Sequence, residues 1–220
     1  MIKVIFFIKR KPGMELDAFR RYWLGRHAQL VCKVPGVRRY VQSHTLDSIY
    51  DKREPIWDGI AELSYDDLDA MRRSAATPES RAATEDTPNF ADMTRGAGLL
   101  TVEVVQKDGA TNPWMVKMVG FATRKAGMEV EAFQKYWREV HGPLACKLSQ
   151  LRRYVQCHPL TSAYRAGHQP IYDGVALSWF DNTGAMRDKP PEYRALRRDE
   201  PNFLELHPEN IIITREHVFI

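Results

Sequence analysis

Histidine and tyrosine recur together at two places in the chain: His27 with Tyr40, Gln42 and His44, and His141 with Tyr154, Gln156 and His158. Imidazoles and a phenol supply donors, acceptors and a group that titrates near neutrality, which is what proton transfer requires. The chain has seven histidines, and four of them fall in these two sets. That clustering favours a functional pocket over the ordinary alternative, a hydrogen-bonded core histidine beside space-filling aromatics. Trp23 and Trp137 each precede the first histidine of a set by four residues, so each pair shares one helix face. Arg38 and Arg152 stand two residues before the tyrosines. They could hold a substrate carboxylate, the alternative being a solvated strand end.

The elements that position these residues are written twice. Residues 10–50 and 124–164 align without a gap at a constant offset of 114, with about half the positions identical, including Arg38-Arg39-Tyr40-Val41-Gln42 and Arg152-Arg153-Tyr154-Val155-Gln156. Later, Pro55 to Gly59 matches Pro170 to Gly174, and Pro88-Asn89-Phe90 matches Pro201-Asn202-Phe203. The expected domains are 1–108 and 114–220, joined through a linker over Lys107 to Pro113, and each is long enough to bury its own core.

Each half opens on an apolar run of strand length, Ile2 to Ile8 or Val116 to Ala122. A helical rhythm over Phe19, Tyr22, Trp23, His27, Leu30 and Val31 follows, expected to stop near Pro35-Gly36. Strands are then expected over Val37 to Leu46 and Ile56 to Tyr65. Next come helices over Leu68 to Ala75, capped by Asp66-Asp67, and over Pro78 to Asp86. Leu99 to Gln106, matched by Ile211 to Val218, is the last strand.

Strand, helix, strand, strand, helix, strand is the ferredoxin-like order. The fold class expected is therefore α+β, two ferredoxin-like repeats packed sheet to sheet as an intramolecular dimeric α+β barrel, because a sheet covered on one side needs a partner for the other. Alternation places Arg38, Tyr40, Gln42 and His44 on one strand face. If that face lies under the helix, His27, Tyr40, Gln42 and His44 converge on one cavity with Arg38 at its rim. The second half repeats the arrangement.

Composition narrows the function. The formal charge of +4 comes from interleaved basic and acidic residues, so nucleic acid is a poor partner. The Ile2 to Ile8 run is too short for a membrane span and is followed, not preceded, by basic residues, so a cytoplasmic location and no membrane partner are expected. Cys32, Cys146 and Cys157 make no disulfide framework, and Cys32 and Cys146 read as packing residues. Metal is not expected, since ligand spacing is missing. Asp58 and Asp173, each before a glycine, read as turn or backbone-binding groups.

On these residues the chain resembles the EthD domain family of the dimeric α+β barrel superfamily. The carriers are Arg124-Lys125-x-Gly127-Met128 with Phe133 and Tyr136-Trp137, His141-Gly142-Pro143-Leu144, Leu151 to His158, Tyr172-Asp173-Gly174 and Asp199-x-x-Asn202-Phe203. Family members are usually single domains that pair, so the chain looks like a tandem fusion.

The resemblance implies a pocket needing no cofactor, for a small aromatic or carboxylated compound. It further implies a lyase or isomerase of decarboxylase, dehydratase or lactone isomerase type, with His27, His141, Tyr40 and Tyr154 lining the site. A non-catalytic binding or accessory protein and a haem or oxygen-using monooxygenase are the alternatives, and a homodimer of the tandem chain is open. Ala28-Gln29 replaces the Gly142-Pro143 that should end or bend the helix after histidine, so the second half is expected to be the more active.

Overall fold

The structure, a computed structural model, describes residues 1–220. The elements run β1 (Ile2–Ile8), α1 (Leu16–Tyr22), a π-helical turn (Trp23–His27), α2 (Ala28–Val31), β2 (Arg39–Thr45), α3 (Asp47–Tyr50), β3 (Gly59–Tyr65), α4 (Leu68–Ala75), α5 (Pro78–Asp86), a 3-10 turn (Thr87–Asn89) and β4 (Ala97–Lys107). The second repeat follows the same order: β5 (Val116–Arg124), α6 (Val130–Tyr136), a π-helical turn (Trp137–His141), α7 (Gly142–Cys146), β6 (Leu151–Pro159), α8 (Thr161–Arg165) and β7 (Gly174–Phe180). It closes with α9 (Thr183–Arg187), α10 (Pro191–Asp199), a 3-10 turn (Glu200–Asn202), β8 (Leu204–Glu205) and β9 (Ile211–Val218). Both repeats are ferredoxin-like.

Two compact units divide the chain, Met1–Leu100 with Glu216–Ile220, and Thr101–Arg215. In the first, β3 lies between β1 and β2, antiparallel to both, with Ile5 opposite Glu62 and Gln42 opposite Ala61. The Tyr40 N–H donates to the Ile220 carbonyl and the Phe219 N–H to the Tyr40 carbonyl, which seats the chain's last residues beside β2. In the second unit β7 lies between β6 and β5, β4 runs along β6 through Val102 opposite His158, and β9 runs along β5.

Each helix layer is pinned by aromatic rings. Phe19, Trp23 and Phe90 are buried with centroids 5.4 to 6.2 Å apart. Phe133 packs the same way on Trp137 and Phe203. Burying a side chain of this size stabilises by roughly 1.5–3 kcal/mol.

Local signals fix the ends of the elements. Asp67 caps α4 by accepting from the Ala70 N–H, and Thr77 caps α5 ahead of Pro78. Asp58 accepts from the Arg10 backbone N–H and the Tyr50 hydroxyl, and Asp173 from the Arg124 N–H and the Tyr164 hydroxyl, so both tie down the turn before β3 or β7.

The glycines after these aspartates are required by close approach. A Cβ on Gly59 would lie 2.3 Å from the Ser43 carbonyl oxygen and 2.8 Å from the Trp23 ring, and one on Gly174 would lie 2.3 Å from the Trp137 ring. Cys32 is exposed, not a packing residue, because α2 turns it outward.

Candidate active site

The helix under each site is not a plain α-helix. At Trp23–His27 and Trp137–His141 the backbone widens to π geometry, so that the Ala28 and Gly142 N–H groups donate to the carbonyls five residues back, of Trp23 and Trp137. Such turns are costly unless something satisfies the loosened backbone. Gln42 supplies this from β2: its Nε2 donates to the Trp23 carbonyl at 2.8 Å and to the Tyr40 hydroxyl at 2.6 Å. Gln156 does the same for Trp137 at 2.9 Å and Tyr154 at 3.3 Å.

Because a carbonyl can only accept, the orientation of each amide is settled, and its oxygen faces a histidine. His44 Nε2 therefore donates to Gln42 Oε1 at 2.8 Å, and His158 Nε2 to Gln156 Oε1 at 3.0 Å. Their Nδ1 atoms are buried without a partner. Burial first, then the nearby His217 and Arg20, holds His44 well below the ordinary imidazole range, and burial with Arg138 pushes His158 down to about 3. Both are neutral at pH 7.

His27 and His141 are placed differently. Each lines a cavity with Tyr40 or Tyr154 and the tryptophan of its own repeat. His27 Nδ1 lies 3.0 Å from Asp86 Oδ2, and His141 Nδ1 lies 2.9 Å from Asp199 Oδ2. The carboxylates also accept from Tyr22 at 2.7 Å and Tyr136 at 2.6 Å, and from Asn89 and Asn202 at 3.2 Å. Burial alone would raise Asp86 and Asp199, but these bonds hold both carboxyls below their usual range. An ionised carboxylate only accepts, so Nδ1 carries the proton and Nε2 keeps its lone pair. Burial lowers the pKa of both histidines, with the aspartate pulling the other way, and the rings are neutral bases at pH 7.

The tyrosines complement them. Tyr154 oxygen accepts from Trp137 Nε1 at 2.8 Å as well as from Gln156. Its own O–H, like that of Tyr40, is left to donate elsewhere, and each ring lines a cavity. Burial raises both phenols far above their ordinary value, so they stay protonated.

The structure thus brings His27, Tyr40 and Trp23 to one cavity wall and His141, Tyr154 and Trp137 to the other. Gln42, His44, Gln156 and His158 lie beneath the helix, outside the cavity lining. Arg38, just ahead of β2, and Arg152, at the start of β6 where the register shifts, are on the surface, paired with Asp66 and Asp181 at 2.6 Å and outside the cavity linings, so the expectation that Arg38 would stand at the cavity rim is corrected.

Asp86 and Asp199 went unassigned in the sequence as site residues. The signal for them is the repeated Asp-x-x-Asn-Phe, Asp86 to Phe90 and Asp199 to Phe203. No group of three or more histidine, cysteine or acidic side chains is arranged to hold a metal ion.

The expectation that Gly142-Pro143 would end or bend the helix is corrected. Both helices run on after histidine, and the histidines meet their aspartates within 0.1 Å of each other, at 3.0 and 2.9 Å. Gly142 is small for another reason: a Cβ there would lie 2.5 Å from the Gln106 carboxamide. Pro143 has no N–H to offer the Arg138 carbonyl, and Gln106 Nε2 donates to that oxygen at 3.2 Å instead.

The fold defines a tandem α+β protein of two ferredoxin-like repeats, each with a buried His–Asp pair beside its cavity. The EthD domain profile matches residues 11–94 and 125–207, most of the chain, and the chain belongs to the EthD family. Among solved structures it is similar to an anthrone oxidase-like protein, with TM-score 0.64 and 11% identity over 100% of this chain and 91% of that one. A protein of Fusobacterium nucleatum subsp. nucleatum provisionally named a monooxygenase gives 0.62 and 8% over 100% and 92%. A chlorite dismutase variant from Candidatus Nitrospira defluvii gives 0.57 and 11% over 98% and 91%. These likenesses establish the fold class, that of the α+β barrel proteins, and no more. No protein of curated function matches the chain significantly. No helix is long and apolar enough to cross a membrane.

Proposed function

We propose that the protein is a lyase or isomerase that moves a proton on a small oxygenated aromatic or lactone. Support comes chiefly from the opposed chemistry of two groups on one cavity wall: a neutral imidazole backed by a buried carboxylate, and a phenol whose oxygen already accepts hydrogen bonds from the protein.

His141 Nε2 removes a proton from the substrate. The O–H of Tyr154 donates to the substrate oxygen on which negative charge develops, and Asp199 stabilises the imidazolium without itself taking the proton. The imidazolium then returns the proton to another carbon, giving an isomer, or to a departing hydroxide, giving water and an alkene. No electrons are gained or lost in either course. His27, Tyr40 and Asp86 form the equivalent set. His44 and His158, too acidic as imidazolium ions to serve as general acids near neutrality, act as positioning residues that hold the glutamines and through them the π turns.

Non-catalytic binding is the second reading for the first half, favoured by its larger cavity, about 540 Å³ against 240 Å³ in the second. The test is turnover of the full chain on a panel of phenolic carboxylates and lactones. His141→Ala and Tyr154→Phe should each lower it by about a hundredfold or more. Folded variants with undiminished turnover would overturn the assignment.

A further inference from the structure

The two cavities share their histidine, tyrosine and tryptophan and differ in the wall that follows from α5 and α10. The first half has Ala83 on α5 and Ala91 beyond the 3-10 turn, and the matching positions in the second are Leu196 on α10 and Leu204 on β8. All four line their cavities. Each exchange puts an isobutyl group where the other repeat has a methyl. The sheet trades the other way at one place, Leu63 in the first cavity against Ser178 in the second, and the second cavity is the smaller in spite of it.

The rims differ as well. Phe6 and Met93 line the first cavity and are 42% and 54% exposed, with the Phe6 ring so close over Gly98 that a Cβ there would lie 3.3 Å from it. In the second half Leu206 keeps the place of Met93, but Gly120 takes that of Phe6. An aromatic ring bare to water at a cavity rim is unfavourable, and a ligand long enough to reach it would cover it.

We infer that the two repeats sort ligands by size: the first cavity takes a fused aromatic of about three rings that reaches out to Phe6, and Leu196 with Leu204 restricts the second to a single substituted ring. This deepens the proposed function and rests on it only for the oxygenated aromatic class. A dry apolar cavity of about 150 Å³ holds one benzene ring. By that measure about 240 Å³ suits one ring with substituents, and about 540 Å³ suits three fused rings. Packed interiors give way to extra volume only at a cost, so a leucine wall excludes the outer rings instead of yielding to them.

Methionine methyl groups report each cavity separately, Met118 in the second and Met71 in the first. The experiment titrates full-length protein carrying ¹³C-methyl methionine with 4-ethylphenol and with 9-phenanthrol. At Met71 the phenanthrol should bind about tenfold or more tightly than the ethylphenol, and at Met118 the order should reverse by a similar factor. Leu196→Ala with Leu204→Ala should open the second cavity to the phenanthrol. If that double variant misfolds, Leu204→Ala alone, at a partly buried position, should narrow the gap. Ala83→Leu with Ala91→Leu should impose the reversed order on Met71, and Phe6→Ser should weaken the phenanthrol there while leaving the ethylphenol unchanged.

The same order of affinity at both methyls in the wild type, an order at Met118 that survives the leucine variants, phenanthrol binding indifferent to Phe6→Ser, or no response of Met71 to 9-phenanthrol would overturn the inference. Ethylbenzene and phenanthrene, which lack the hydroxyl, should sort in the same way. The size selection can therefore stand if the acid-base reading falls, and the reverse holds too.

Discussion

In the first half the His27–Asp86 pair serves a cavity of about 540 Å³ whose lining includes Met71, Ala83 and Thr87. In the second, the His141–Asp199 pair serves about 240 Å³, with Leu196, Arg197 and Glu200 in the lining. The carboxylates are backed differently as well. Arg26 Nε lies 3.3 Å from Asp86, and the matching position in the second half is Val140.

The groups that the proposed chemistry uses are the same in both: histidine, aspartate, tyrosine, glutamine and the tyrosine and asparagine donors to the carboxylate. What differs is the wall. On the proposed reading, a duplicated chain that keeps its hydrogen bonds and varies its lining keeps one chemistry and separates two ligand preferences. The structural difference between the halves lies in the cavities, not in the course of the helix after histidine.

The largest effects should come from that inequality. His141→Ala and Tyr154→Phe are expected to cost about a hundredfold or more in turnover, and His27→Ala and Tyr40→Phe less than about tenfold. Steady-state kinetics on the four variants, with circular dichroism as a check on folding, decides this. Larger losses in the first half would reverse the ranking.

Stability should show the opposite order. Gly59→Ala brings a Cβ against the Ser43 backbone oxygen as well as the Trp23 ring, whereas the strand carbonyl facing Gly174, that of Cys157, is 3.1 Å away. Overpacking of this kind costs roughly 1–3 kcal/mol, so both changes should lower the denaturation midpoint, Gly59→Ala the more. A neutral outcome at Gly59 would mean that Trp23 is not held between the π turn and β3.

The pH dependence is subtler. His158 titrates at about 3 in the fold, against an ordinary value near 6.5. Below about pH 6.5 the unfolded chain binds a proton that the fold refuses, so stability falls as pH drops, by about 1.4 kcal/mol per unit down to the folded value. His158→Gln should remove one such contribution and flatten the acid limb of the stability profile. An unchanged profile would show that His158 is not buried as a neutral ring. The smallest effect is expected at Arg38→Ala and Arg152→Ala, where exposed ion pairs far from the cavities should leave turnover and melting unchanged.

Much of this was legible in the sequence, for identifiable reasons. The repeat, the β1 run and the Asp67 cap are local signals, and the strand pleat correctly put Tyr40, Gln42 and His44 on one face. The π turn was not legible, because Trp23 and His27 are spaced four apart in an α-helix and in this wider turn alike. Nor was the division of labour along β2. Alternation cannot tell that the Trp23 carbonyl lies over Gln42 and leaves His44 outside the cavity. Asp86 and Asp199 were hidden by distance, being 59 and 58 residues from their histidines.

The most direct test of the account needs no substrate. Nitrogen NMR of the ¹⁵N-labelled imidazoles at pH 7 reads charge and tautomer at each ring. His27 and His141 should be neutral with the proton on Nδ1 and a bare Nε2, and His44 and His158 neutral with the proton on Nε2. A protonated Nε2 on His27 and His141, or a cationic ring at either, would contradict the claim that each repeat offers its cavity a free base.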